Sequence, residues 1–310
     1  MTANDSDSGA LYSSYKPLLF SLAYRMLGSV MDAEDIVHEA FLALGKSGTD
    51  HVSNIQSYLC KIVTNRCINY LQSSGKRREV YVGTWLPEPL VGEVGDIADP
   101  LQSYVEKESI SAAYLLLLQQ LTYVERAVFL LREALQYDYD EIADIVGKSS
   151  TNCRQIYHRA KRSLGNRADA NDAGSYSQEN QIAQSPPSEQ MTHLVELFMS
   201  ALANADVGQL MNVLSTDATL FADGGGKVKA PLRPLHGSER ISIFLVGLQA
   251  KLSSGTSFHL GAVNGGPGVI LQTNGQTVAV FSFKIENQRI VELYIVGNPD
   301  KLKHISWGKE

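Results

Sequence analysis

"YDEIADIVGKSSTNCRQIYHRAKRSL", residues 139–164, decides how this chain folds. Ile142, Ala143 and Val146 recur ahead of Gly147 at helical spacing, and Cys153, Ile156, Tyr157, Ala160 and Leu164 recur behind it. The pattern predicts two helices facing each other across a glycine turn, a helix-turn-helix. Ser149 is placed to cap the second helix. With the apolar stripe turned inward, Thr151, Asn152, Arg154, Gln155, His158, Arg159 and Arg162 project outward. No acid lies between Lys148 and Arg167, so this face suits base edges near the helix start and phosphates further along.

Upstream, "TYVE" before "RAVFLLREAL" predicts a capping box, with Thr122 as N-cap and Glu125 three residues on. Further back, "DAEDIVHEAFLAL" places Ile36, Val37, Ala40, Phe41 and Leu44 on one stripe. Asp32 reads as its N-cap and Asp35 as a first-turn acid, and Asp35 and Glu39 share an exposed side. The next helix, "SYLCKIVTNRCINYLQSSGKRR", buries Leu59, Ile62, Val63, Cys67, Tyr70 and Leu71. It carries Lys61, Arg66, Lys76, Arg77 and Arg78 with no acid among them. The net charge of −6 over 310 residues therefore conceals a segregation of charge.

Between these helical stretches lies "YVGTWLPEPL", residues 81–90, inside an acidic run whose Pro and Gly residues deny it a regular helix. Tyr81, Trp85 and Leu86 in a Pro-stiffened segment, with Pro87, read as anchors for another surface. A second polar linker fills 167–188. Beyond it, amphipathic helices in "MTHLVELFMSALANAD" and "SERISIFLVGLQAKL" precede the strands "SFHLGAV", "GVILQT", "QTVAVFSFKI" and "RIVELYIV". Asn274-Gly275 marks a hairpin. Helices first and a meander last predict an α+β domain with its sheet curled over the helices.

Taken together, "AYRMLGSVMDAEDIVHEAFLAL" resembles region two, and "YDEIADIVGKSSTNCRQIYHRAKRSL" region four, of bacterial sigma factors of the extracytoplasmic-function group. "YVGTWLPEP", "DGGGK" (Asp223, Gly224, Gly225, Gly226, Lys227) and "NPDKL" (Asn298, Pro299, Asp300 and onward) resemble the subgroup with a fused C-terminal SnoaL-like domain. The resemblance implies a multidomain chain: two all-α sigma domains and an α+β cone of nuclear-transport-factor type that acts on them. The expected boundaries are 10–78 for region two, 79–104 for the acidic linker, 105–166 for region four, 167–188 for the flexible linker and 189–305 for the cone.

Several roles follow from that resemblance. Asp32, Asp35 and Glu39 would dock on core RNA polymerase. Tyr58, Lys61, Asn65, Arg66 and Lys76 to Arg78 would hold the minus-ten DNA, with the loop from Lys46 to Asn54 catching an unpaired base, and the outward face from Ser149 to Arg162 would read minus-35. Tyr58 stands where many relatives have Trp. The acidic linker would thread a positively lined polymerase channel. The three glycine-flanked motifs would form one regulatory contact, in which Lys227 pairs with an acid of the first linker.

Other chemistry has weaker support. Asp223, His236 and His259 are candidate acids or bases in the last domain, but spacing assigns them no paired roles, so no catalytic residue is expected. The seven histidines show no metal-ligand spacing, no phosphate-binding loop follows a strand, and no cofactor is expected. The three cysteines read as small buried thiols. Neither a signal peptide nor a long apolar run is present, which points to a cytoplasmic protein without membrane contact. A monomer when free is expected, with a small-molecule ligand of the cone left open. The rival reading is a dimeric helix-turn-helix regulator sensing a ligand through its C-terminal pocket.

Overall fold

A computed structural model describes residues 3–48, 52, 54–78, 81–92, 110–168, 189–305 and 307. The chain divides into two units, one comprising Met1–Glu79 with Tyr114–Glu179 and the other Val80–Ala113 with Asn180–Glu310.

The first unit is helical. It contains α1 (Ala3–Leu27), α2 (Val30–Ser47), α3 (Ile55–Arg78), the end of α4 (Ala112–Leu118), α5 (Tyr123–Glu133), α6 (Tyr139–Val146) and α7 (Ser150–Ala168). The α2 stripe is as expected, with Ile36, Val37, Ala40 and Leu44 buried and Phe41 against the Tyr12 ring at 4.7 Å. Its start is not. Ser29, not Asp32, is the N-cap: its side chain accepts from the Asp32 amide, which leaves Asp32 as the first-turn acid and Asp35 a turn further in. In α3, Leu59, Val63, Cys67 and Leu71 are buried with Cys60 and Ile68, while Ile62 and Tyr70 are half-exposed.

Thr122 and Glu125 form the expected capping box of α5, and Asp138 and Glu141 form a second at α6. Gly147 adopts a left-handed φ of 66° and ends α6, a conformation that costs other residues a clash with their own Cβ. Ser149 caps α7 by accepting from the Asn152 amide. The α7 stripe is buried at Cys153, Ile156, Tyr157, Ala160 and Leu164. On α6 the buried pair is Ile142 and Ile145, not Ala143 and Val146, which are only half-buried.

The N-terminal helices and those of the helix-turn-helix segment are joined within this unit by Arg126, which is 3% exposed. Its guanidinium donates to the carbonyls of Leu118 and Leu121, and also to that of Met26 at the end of α1. All three cysteines are free and buried. Burial pushes the Cys60 thiol up to about 11 and raises that of Cys67 as well, as the small-apolar reading requires.

The second unit holds α8 (Glu189–Ala203), α9 (Val207–Val213), α10 (Ser238–Gln249) and seven strands: β1 (Val91–Gly92), β2 (Leu214–Asp223), β3 (Leu235–His236), β4 (Thr256–Val263), β5 (Gly266–Thr273), β6 (Gln276–Glu286) and β7 (Arg289–Val296). They form one sheet in the order β1-β4-β5-β6-β7-β2-β3, antiparallel except where β2 runs parallel to β7. Asn274 and Gly275 both have positive φ in the β5–β6 turn, as a primed hairpin turn demands. One sheet face carries Leu220, Val269, Leu271, Phe281 and Leu293 and packs on Val195, Phe198 and Leu202 of α8 and on Ile241 and Leu245 of α10. This is the expected cone. Among the described residues no helix is long and apolar enough to cross a membrane.

Candidate functional site

The outward face of α7 is assembled as the sequence predicts. Thr151, Asn152, Arg154, Gln155, His158, Arg159 and Arg162 are all exposed. Arg159 lies 3.8 Å from Glu125, a solvated pair that holds its side chain only loosely.

On α2 and α3 the two predicted surfaces meet. Asp35 and Glu39 are exposed, but Glu39 forms an ion pair with Arg66, and Asp32 accepts a hydrogen bond from Tyr70 at 2.7 Å. Tyr58 contacts Ser47 through their hydroxyls. The Asn65 amide donates to Lys61 O and, at 3.0 Å, to Ile145 O. A cleft of about 380 Å³ lies here, lined by Ser47, Tyr58 and Lys61 on one side and Glu141, Asp144 and Ile145 of α6 on the other. The side chains of Lys76, Arg77 and Arg78, and parts of the loop from Lys46 to Asn54, lie outside the described residues.

Within the second unit, residues 81–92 form an extended strap along the sheet and answer for the aromatics in "YVGTWLPEPL". Asp223, 1% exposed at the end of β2, is the hub. Its carboxylate accepts from the Tyr81 hydroxyl at 2.5 Å, the Leu86 amide at 2.8 Å, the Gly225 amide at 3.0 Å and the Lys301 ammonium at 2.7 Å. Lys301, 7% exposed, donates also to the Leu86 carbonyl. Its ammonium sits 3.9 Å from the Trp85 ring centroid and 5.0 Å from that of Tyr81. A buried charge without such partners would be costly, and here Asp223 and the strap residues Tyr81, Trp85 and Leu86 supply them. Leu86 is fully buried and Pro87 is buried beside it.

The strap's other end is fixed by backbone pairing. Val91 and Gly92 pair with Val263 and Ala262 of β4, and Leu90 exchanges hydrogen bonds with Asn264. His304 meets the Pro89 carbonyl through Nε2 at 2.8 Å; since a carbonyl only accepts, Nε2 carries the proton.

The two other motifs close around Tyr81. The Asn298 amide donates to its hydroxyl at 2.9 Å. A Cβ on Gly225, whose φ is +57°, would collide with Asn298, and one on Gly224 with the Val228 carbonyl. Those glycines are thus required by close approach. Lys227 pairs with Asp300 of "NPDKL", and Lys303 reaches the same carboxylate at 2.8 Å, while the linker acids Glu93, Asp96 and Asp99 lie outside the described residues. These two cations lower the Asp300 carboxyl to about 2. Burial, and then its bond to Asp223, raise the Tyr81 hydroxyl. Lys301, Asn264 and His304 were not among the expected site residues, although Lys301 lies inside the quoted "NPDKL".

Among the described residues His236 meets the Thr219 hydroxyl and His259 that of Ser257, and Asp223 is consumed by the strap. Among the described residues no cluster of three potential metal ligands occurs.

Comparison with known proteins agrees with both units. Residues 11–77 match Sigma-70 region 2 and residues 111–164 match Sigma-70 region 4. The chain is 27% identical to the ECF RNA polymerase sigma factor SigJ of Mycobacterium tuberculosis, over 94% of this chain and 91% of that one. It is 26% identical to the probable ECF sigma factor SigI of the same organism, over 97% of each. The crystal structure of M. tuberculosis SigJ superposes with a TM-score of 0.73 at 25% identity, covering 94% of this chain and 97% of that one. A sigma-two body, a sigma-four helix-turn-helix and a C-terminal α+β cone, matched almost end to end, make this chain a member of the extracytoplasmic-function group of RNA polymerase sigma factors.

Proposed function

We propose that this sigma factor is regulated from within its own chain, the cone acting by capturing residues 81–92. The observation that carries the reading is the Asp223–Lys301 hub, whose shell is built from Tyr81, Trp85 and Leu86. The captured segment directly follows region two in the chain. A segment hydrogen-bonded along the cone's sheet is not at the same time threaded through a polymerase channel. Docking and productive assembly therefore compete, and strap release favours transcription.

In this reading Asp32, Asp35 and Glu39 meet core polymerase. Tyr58, Lys61, Asn65 and Arg66, with Lys76 to Arg78, meet the minus-ten strand, and the α7 face meets minus-35. The free protein is a cytoplasmic monomer that catalyses nothing, and any small molecule bound by the cone would act by shifting the strap equilibrium. The test is promoter-dependent transcription by core polymerase with full-length wild type and Asp223→Ala. The variant should be the more active at limiting polymerase. Equal activity of two folded proteins would overturn capture as the regulatory step.

A further inference from the structure

Region four carries an aromatic ladder beside its reading helix, and one rung has no evident structural need for the charges around it. Phe129 stacks on Tyr157 at 6.3 Å between centroids, and Tyr157 meets Tyr139 edge-on at 6.1 Å. Tyr139, the first residue of α6, is half-buried. Two guanidiniums sit over its ring: Arg132 of α5 at 5.0 Å and Arg154 of α7 at 5.1 Å from the centroid. Arg132 is itself tethered, donating to the Tyr137 carbonyl at 2.7 Å. Arg154 is exposed.

We propose that Tyr139 is a specificity-determining positioning residue for the minus-35 element, holding the Arg154 guanidinium by its face so that its edge stays free to donate to a guanine. The proposal rests on the reading of α7 as the minus-35 helix with Arg154 at a base edge. An aromatic ring attracts a guanidinium through the negative potential of the ring face, so the contact spends none of its N–H groups on a lone-pair acceptor. Those N–H groups form the fork that pairs with O6 and N7 of guanine in the major groove. An exposed arginine loses considerable side-chain freedom when it adopts one geometry on DNA. The ring has removed part of that freedom beforehand. Arg132, fixed by Tyr137, confines Tyr139 in turn. Arg159 differs in kind, since its Nε lies 3.8 Å from a Glu125 oxygen in a loose, solvated pair, which fits a side chain that only needs to find a phosphate.

The test uses full-length protein assembled with core polymerase and a set of promoters carrying each single base substitution in the minus-35 element. Tyr139→Leu should relax discrimination about two- to fivefold, the range of an exposed cation–ring contact, at the one base pair that Arg154→Ala also relaxes. Tyr139→Phe should keep wild-type discrimination, and Tyr139→Leu added to Arg154→Ala should change nothing further. Pentafluorophenylalanine at position 139 keeps the ring's shape but cancels its negative face; it should behave as leucine does, which keeps the test valid if the leucine variant folds poorly. An even loss of binding at all positions, or full discrimination with the fluorinated ring while Arg154→Ala relaxes one position, would overturn the positioning role and leave the minus-35 reading standing. Should Arg154→Ala itself leave the base profile unaltered, the underlying assignment of Arg154 fails, and the proposal with it.

Discussion

The side-chain amide of Asn65 donates to the main-chain carbonyl of Ile145 at 3.0 Å, fastening the third helix of region two to the first helix of the helix-turn-helix. Ile145 lies in the last turn of α6, where carbonyls have no partner further along the helix. A side chain proposed to meet DNA in the polymerase complex is thus engaged within the free protein. Asn65→Ala should speed hydrogen exchange of the α6 amides in the free protein about two- to tenfold, the range for losing one hydrogen bond. Exchange measured by mass spectrometry checks this, and unchanged α6 protection would show that the bond fastens nothing.

The pairing of Glu39 with Arg66 alters how the acids proposed to face polymerase are best tested. Glu39→Lys would bring a cation to Arg66 and confuse docking with local repulsion. Asp35→Lys is the cleaner change, because no ion pair of Asp35 occurs among the described residues. An exposed charge contributes little to folding, so the melting temperature should shift by no more than about 2 °C. Association with core polymerase should slow, more so at low salt. Fluorescence titration at two salt concentrations gives the answer, and equal rates would remove Asp35 from the interface.

Local signals were legible and long-range ones were not. The helix-turn-helix was readable because Gly147, Ser149 and the 3.6-residue period all act within a few residues. The α2 cap was misread because Asp32 and Ser29 both suit a cap, and only the packed Val30 shows which turn comes first. Strand β2 is hard to read because Leu214 is followed by the polar Ser215, Thr216 and Asp217, and its parallel partner β7 lies about seventy residues away. Lys301 went unseen for the same reason. A lone lysine reads as a surface residue, and its burial is intelligible only once Asp223, 78 positions away, and the strap aromatics surround it.

Acid should act on the rim of the strap site through Asp300. Its folded value of about 2 lies below the roughly 3.9 of an unperturbed aspartate. A depressed carboxyl adds stability that is present above about pH 4 and is lost as pH falls toward 2. The group is half in water, so the effect is small and weakens with salt. Asp300→Asn should flatten the stability curve between about pH 4 and 2, with its small cost present at neutral pH and vanishing as pH falls toward 2. Carboxyl titration by NMR tests the assignment; a midpoint near 4 would mean that Lys227 and Lys303 do not hold Asp300.

The strap site itself makes the strongest energetic prediction. Removing Lys301 leaves Asp223 buried without its counter-charge, a change that costs about 3–5 kcal/mol in comparable pairs. Trp85→Ala removes the ring 3.9 Å from the same ammonium, about 0.5–2 kcal/mol of cation–ring attraction together with the apolar area of a half-buried indole. Because Trp85 and Asp223 act on one cation, Trp85→Ala and Lys301→Met should combine less than additively, by at least about 0.5 kcal/mol. The chain has two tryptophans, so Trp307→Phe leaves Trp85 as the sole reporter. In that background Lys301→Met should shift its emission to the red as the strap opens. The same proteins should then transcribe more at limiting core polymerase, in proportion to the open fraction. An open strap by fluorescence with unaltered transcription would mean that the contact serves only to cover the cone's sheet, and that control of this sigma factor lies elsewhere in the chain.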